Sequence, residues 1–273
     1  MIGPGKGEVI VDAPDRRVEI LAEHDALHAT WSRFGPRRDG ADLHVHRRHS
    51  DYFYVLDGEL TLRVGADGER VRAGAGALAR LPPLVAHGYR NETDSDVRFL
   101  NFHAPGSAFA TYMRALRDGR PHRFDQDPPP DDGGRPAAEA SVGAGELVVE
   151  RDGVQVMLLS EGEAAAFAVV SAEPGGEPEA PHVHRRHPEA VYVLEGDVRA
   201  DVAGRPVALE AGSWLLVASG APHSLAARGH RTARFLSVHA PSCGFGAFIR
   251  VLGAGGDDGV ATRRAVFDRE PAH

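Results

Sequence analysis

Two histidines spaced two apart, a carboxylate five residues on, and a third histidine some forty residues later make a set that can hold a metal ion. This chain carries the set twice. The hexapeptide HVHRRH stands at 44–49 and again at 182–187. In a strand, residues i and i+2 face the same side, so His44 with His46, and His182 with His184, converge on one point. After the turn come Asp51 in the first copy and Glu189 in the second, and the next strand can return each carboxylate to that side. His87 in LPPLVAHGYRN and His223 in ASGAPHSLAA each follow a proline-containing turn. Three imidazoles and one carboxylate leave two positions of a six-coordinate ion open. Such mixed nitrogen and oxygen sets suit Fe, Mn, Ni, Co or Zn, and spacing does not choose among these divalent transition metals. Asp51 and Glu189 are also the candidate catalytic groups, because a carboxylate beside an open position can accept a substrate hydroxyl proton.

The repeat extends well beyond six residues. HVHRRHSDYFYVLDGEL at 44–60 matches HVHRRHPEAVYVLEGDV at 182–198, and RFLNFHAPGSAFATYMRAL at 98–116 matches RFLSVHAPSCGFGAFIRVL at 234–252. FDQD at 124–127 and FDRE at 267–270 extend it further. A period of roughly 137 residues is too long for a solenoid unit and fits a whole domain. Tandem duplication places one domain at 1–124 and the other at 147–273. Residues 125–146, rich in Pro, Gly and Asp, read as the linker, because Pro lacks an N–H and Gly is loose in φ and ψ.

Each copy reads as β-structure. YFYVLDGELTLRV and VYVLEGDVRADV combine β-branched and aromatic residues with a turn signal at Asp57-Gly58 or Glu195-Gly196. Turns recur every 8–12 residues or so, which predicts a sandwich or small barrel. Each copy ends in a short helix: 107–117, with Ser107 as N-cap and Phe109, Met113 and Leu116 at helical spacing, and 244–252. GEVIV at 7–11 is expected to add to a neighbouring sheet, and a homodimer is expected from such strand edges.

Composition narrows the function. The net charge of −8 argues against nucleic acid or an anionic membrane as partner, and 42% hydrophobic residues supply a core. MIGPGKGEVIV lacks the pattern of a signal peptide, no apolar run approaches a membrane span, and a cytoplasmic protein is expected. The one cysteine, Cys243, reads as a small buried residue. No G-x-S-x-G elbow or dinucleotide fingerprint appears.

The histidine pattern resembles that of the cupin superfamily. Its first motif, G(X)5HXH(X)3–4E(X)6G, is met from His182 through Glu189 to Gly196, and from His44 to Gly58 with Asp51 in place of Glu. Its second, G(X)5PXG(X)2H(X)3N, runs Gly76, Pro82, His87, Asn91, with Leu84 at the second Gly. In the other copy it runs Gly212, Gly220, His223, with Ala218 for Pro and Ala227 for Asn. The resemblance implies an all-β bicupin: two tandem jelly-roll barrels, each followed by a short C-terminal helix. It also implies a possible metal in each barrel. Cupins span dioxygenases, decarboxylases, isomerases, cyclases and binding domains, so it leaves the reaction open.

Strand alternation outlines the pocket walls. Counting by twos from Asp51 and His87 gives Phe53, Val55, Tyr89 and Asn91; in the second copy the positions are Val191, Val193, Leu225 and Ala227. Quercetin-dioxygenase-like cupins line an aromatic pocket at the positions of Phe53 and Tyr89. Substrate binding is therefore expected in the first copy, at Phe53, Tyr89, Asn91 and His103. His103 and His239 can each act as a supporting group or proton shuttle of the site, or as a structural histidine. His49 and His187, in the turn after H-x-H, read as loop or rim. The leading expectation is a metal-dependent dioxygenase of a small aromatic or oxygenated molecule. A non-redox isomerase or cyclase, and a binding protein without turnover, are the alternatives.

Overall fold

The computed structural model describes residues 1–176, 179–255 and 267–272. These residues form two compact units: Gly7–Ala144, and Gly145–His273 together with Met1–Lys6. No helix among them is long and apolar enough to cross a membrane.

In the first unit the strands are β1 (Glu8–Ala13), β2 (Arg16–His24), β3 (Leu27–Phe34), β4 (Ser50–Asp57), β5 (Glu59–Val64), β6 (Glu69–Gly74), β7 (Leu78–Leu81), β8 (His87–Arg90) and β9 (Val97–Ala104). Helix α1 (Phe109–Arg117) and a short β10 (Ser141–Gly143) follow. One antiparallel sheet has the order β1-β2-β3-β9-β4-β7-β10 and the other β6-β5-β8. Between them lies an apolar core; β5 contributes Leu60, Leu62 and Val64 by strict alternation.

The second unit repeats the plan with β11 (Glu146–Arg151), β12 (Val154–Glu161), β13 (Ala166–Ala172), β14 (His182–Val183), β15 (Glu189–Glu195), β16 (Asp197–Val202), β17 (Arg205–Glu210), β18 (Trp214–Val217), β19 (His223–Arg228), β20 (Ala233–His239), α2 (Phe245–Gly253) and β21 (Glu270–Pro271). Its sheets run β11-β12-β13-β20-β15-β18 and β17-β16-β19-β14-β21. The expected all-β class, two barrels each followed by a short helix, is what the chain adopts.

Local details depart from the sequence reading. GEVIV pairs within its own barrel: β1 runs antiparallel to β2 and forms one end of the sheet. It is Ile2 that bridges to Trp214 in the second unit, through backbone bonds of 2.8 Å in both directions. Ser107 caps nothing. The residue before α1 is Ala108, held at φ 59° with no side-chain cap, and Leu116 is 54% exposed while Ala110, Met113 and Ala115 are buried. Within residues 125–146, Asp127 exchanges backbone bonds with Val45, and β10 pairs with β7.

The helices are tied down in the same way in both copies. Arg114 of α1 reaches Glu8 at 2.6 Å and Glu23 at 2.7 Å; Arg250 of α2 reaches Glu146 at 2.8 Å and Glu161 at 3.0 Å. These pairs are partly exposed and contribute little each. Close backbone approach fixes α2 more firmly. A Cβ on Gly253 would lie 1.8 Å from the carbonyl oxygen of Val148, whereas one on Gly74 would meet nothing within 4 Å. Gly253→Ala must push α2 off β11, with an expected loss of about 1–3 kcal/mol. Gly74→Ala should be near neutral, and urea denaturation of the two variants measures the contrast.

Candidate metal centres

The first histidine set is assembled by backbone pairing. The amides and carbonyls of His44 and His87 exchange bonds of 2.9 and 2.8 Å, which sets the H-x-H segment beside β8. His182 and His223 pair likewise across β14 and β19. The turn before His87 is held by the amide of Leu84, which donates to the carbonyl of His46 at 2.7 Å; Gly220 does the same to His184 at 2.6 Å. Both residues are left-handed, at φ 66° and 81°. This conformation explains the glycine expected here, and Leu84 adopts it against the steric preference of a Cβ-bearing residue.

The side chains then converge. His182, His184, Glu189 and His223 bring one ligand atom each within 4.8 Å of one another, and so do His44, His46 and His87. In the second barrel Glu189 Oε2 lies 3.0 Å from His223 Nε2 and 3.3 Å from His184 Nε2. In the first, Asp51 Oδ2 is 3.4 Å from His87 Nε2 and 3.6 Å from His46 Nε2, but Asp51 falls outside the four-atom convergence its counterpart joins.

Every ligand-forming imidazole has its Nδ1 on a backbone carbonyl. His44 meets Asp42 at 2.6 Å, His87 meets Val85 at 2.9 Å, and His46 meets Asp125. His182 meets Ala180 at 3.1 Å, His223 meets Ala221 at 3.0 Å, and His184 meets Asp268. An Nδ1–H donated to a carbonyl puts the lone pair on Nε2, facing the centre; this is the tautomer a metal requires. Burial favours the neutral ring at two of them: it drives His44 down to about 3 and His182 to about 2. Burial pushes Asp51 and Glu189 up, but the surrounding imidazoles outweigh it and hold both well below the usual carboxylate range.

The repeated turn RRH now has an explanation. The amides of Arg47 and Arg48, at 3.0 and 2.8 Å, and His49 Nδ1, at 3.0 Å, grip the carboxylate of Asp125. In the second copy the amide of Arg186, at 2.6 Å, and His187 Nδ1, at 3.0 Å, grip Asp268. The turn thus clamps the tail segment whose carbonyl orients His46 or His184. His49 and His187 are buried parts of that clamp, not loop or rim. The signal was present in the sequence as FD at 124–125 and 267–268.

Behind each carboxylate stands a partner that sequence reasoning missed. Ser237 Oγ donates to Glu189 Oε1 at 2.8 Å, and Asn101 Nδ2 donates to Asp51 Oδ1. The two partners occupy equivalent register positions, Asn101 opposite Phe53 and Ser237 opposite Val191. The short carboxylate has the longer amide, and the long carboxylate has the short hydroxyl. From Ser237 a buried chain continues through His239 Nε2 at 3.2 Å, His239 Nδ1 to His187 Nε2 at 3.0 Å, and on to Asp268. In the first barrel the corresponding chain is interrupted, and His49 Nε2 and His103 Nδ1 have no hydrogen-bond partner among the described residues.

The expected pocket wall of the first barrel is packed core. Phe53 is fully buried, 4.8 Å from the Tyr89 ring centroid, and both rings meet Phe99. The amide of Asn91 is occupied by the carbonyls of Phe34, Gly35 and Ser95. His103 stacks on Phe109 at 4.1 Å and contacts Asn101 at 3.1 Å, so it supports the site from behind. The second barrel instead opens a cavity of about 290 Å³ onto His182, His184 and Glu189. Phe235, Phe245, Phe248 and Phe267 line it, with Leu225 and Ala227 as expected from alternation.

Against known proteins, the cupin domain family matches residues 30–103 and 168–239, one match in each barrel. The chain belongs to the cupin family. A quercetin 2,3-dioxygenase of Bacillus subtilis is 27% identical over 261 residues, covering 80% of this chain and 74% of that protein. Among solved structures, an oxalate decarboxylase of Bacillus subtilis covers the whole chain and 88% of its own, with a TM-score of 0.64 at 16% identity. The oxalate decarboxylase of Lactobacillus farciminis superposes with a TM-score of 0.59 at 15% identity, over 88% of this chain and 86% of that one. Both structures share the two-barrel fold.

The buried imidazoles set the response to acid. His49 and His187 are driven down to about 4, again by burial first. A histidine lowered in the fold binds its proton more readily when unfolded. Its stabilisation is complete above the unfolded value near 6.5 and is lost as pH falls below it. The lowered carboxylates act in the same sense, whereas His223, raised by Glu189 against its burial, acts in the opposite one. Metal-free protein should therefore lose stability from pH 6.5 to 4, by up to about 1.4 kcal/mol per pH unit for each such histidine. Denaturant midpoints measured across that range check the slope.

Proposed function

We propose that this bicupin is a metal-dependent oxidoreductase, a dioxygenase of a small aromatic or oxygenated organic molecule, with its reaction centre in the second barrel. The observation that carries this is the opening of a phenylalanine-lined cavity directly onto His182, His184 and Glu189. The likeness to a quercetin 2,3-dioxygenase supports the reaction type. The residues that would hold a divalent metal (Fe, Mn, Ni, Co or Zn) are His182, His184, Glu189 and His223. The first barrel would hold one through His44, His46 and His87, with Asp51 set back. Bound there, such an ion supplies Lewis acidity and, if redox-active, an electron route to dioxygen.

The chain's own residues do the rest. The Nδ1 contacts fix three imidazoles in the ligating tautomer before any ion arrives. Ser237 pins one oxygen of Glu189 and leaves Oε2 facing the imidazoles, where it can also accept a hydroxyl proton from the substrate. Behind Ser237, the buried contacts of His239 and His187 with one another and with Asp268 hold the serine hydroxyl in place. The apolar cavity walls hold a flat ring and exclude water from it.

Oxygen uptake with a panel of flavonols, catechols and dicarbonyls tests the reading. Turnover should need O2, vanish in His182→Ala with loss of one metal per chain, and survive in His44→Ala. Ser237→Ala should weaken metal affinity about 10–100-fold. Turnover without O2 would move the protein to isomerase or cyclase chemistry, and loss confined to His44→Ala would move the centre to the first barrel.

A further inference from the structure

One polar corner of the second-barrel cavity is not part of the metal set. Arg269 lines the cavity yet is 8% exposed. Its Nη2 lies 2.6 Å from Glu179 Oε1 and 3.2 Å from His182 Nδ1. A guanidinium carries five N–H donors in a planar fork. The hydrogen bond to Glu179 and the approach to His182, whose Nδ1 proton is given to Ala180, both fall on one nitrogen, and Nε has no hydrogen-bond partner among the described residues. Leaving donors of a buried cation unused is costly, and a ligand group that accepts from them recovers that cost.

The surroundings say what the ligand must be. Phe235, Phe245, Phe248 and Phe267 form the aromatic part of the lining, and the Arg269 guanidinium carbon sits 5.7 Å from the centre of the Phe248 ring. The other copy lacks the feature: FDQD aligns with FDRE, so Gln126 stands where the second copy has Arg269.

We propose that Arg269 is the specificity determinant of this cavity, and that it selects an aromatic ligand bearing an ionised oxygen, a carboxylate or an enolate, beside the metal set. This rests on the reading of the cavity as the substrate site. The anionic oxygen meets the guanidinium fork, the ring lies among the phenylalanines, and the fork orients the ligand toward His182.

Zinc-loaded full-length protein, which is redox-silent, serves for the test, with 2-naphthoate and its neutral isostere 2-naphthamide titrated by calorimetry. Wild type should prefer the acid, and Arg269→Gln should reduce that preference about tenfold or more, with zinc content unchanged. Phe248→Ala should weaken both probes alike. An acid-to-amide ratio unaltered in Arg269→Gln would overturn the proposal, because the zinc alone would then be reading the charge. Failure of wild type to bind either probe would instead overturn the cavity's reading as a substrate site, and the proposal with it. If Arg269→Gln does not fold or loses zinc, Arg269→Lys carries the test. It keeps the charge but not the fork, so a partial fall in the ratio is expected and no fall refutes the assignment.

Discussion

The hydrogen bond from a buried imidazole Nδ1 to a backbone carbonyl is the interaction on which both centres depend. Six such contacts decide where the lone pairs point. Four of the acceptor carbonyls, of Asp42, Val85, Ala180 and Ala221, lie two residues before their histidine. The remaining two belong to Asp125 and Asp268, far along the chain. His46 and His184 are thus oriented only once the tail of each copy has folded back onto the turn. The carboxylates of the same two aspartates accept the amides and the imidazole of that turn, so a single residue both anchors the tail and aims a ligand.

Burial serves this arrangement. Taking several imidazoles out of water disfavours their charged form, which leaves neutral rings with free Nε2 lone pairs. The same burial would be prohibitive for an isolated carboxylate, and Asp51 and Glu189 are tolerated because each is surrounded by imidazoles and gripped from behind by Asn101 or Ser237. The arrangement raises the sensitivity of the fold to acid in exchange for a centre already shaped to receive an ion.

Duplication gave the two barrels one plan, and their differences lie in a few side chains around it. Asp51 with Asn101 and Glu189 with Ser237 are complementary pairs, but only the longer carboxylate converges with all three of its histidines. Phe53 and Tyr89 pack into the core of the first barrel, while Leu225, at the position matching Tyr89, lines the cavity of the second. The aromatic residues that line that cavity come from elsewhere: Phe235 from β20, Phe245 and Phe248 from α2, and Phe267 from the tail.

The sequence by itself determined the duplication, the β class and the ligand types, because H-x-H spacing, strand alternation and turn chemistry are local. It placed His44, His46 and His87, and His182, His184, Glu189 and His223, in groups that the fold brings together. It could not say whether Asp51 reaches as far as Glu189, since that depends on the partner across β9. Nor could it tell a pocket wall from a packed core at Phe53 and Tyr89: alternation gives the face a side chain occupies, and only three-dimensional packing decides whether that face borders a void. The roles of Asp125, Asp268, Ser237 and Arg269 were hidden for the same reason. Each acts on groups some fifty to ninety residues away; the repeated FD at 124–125 and 267–268 marks the tail, but only the fold brings it back to the turn.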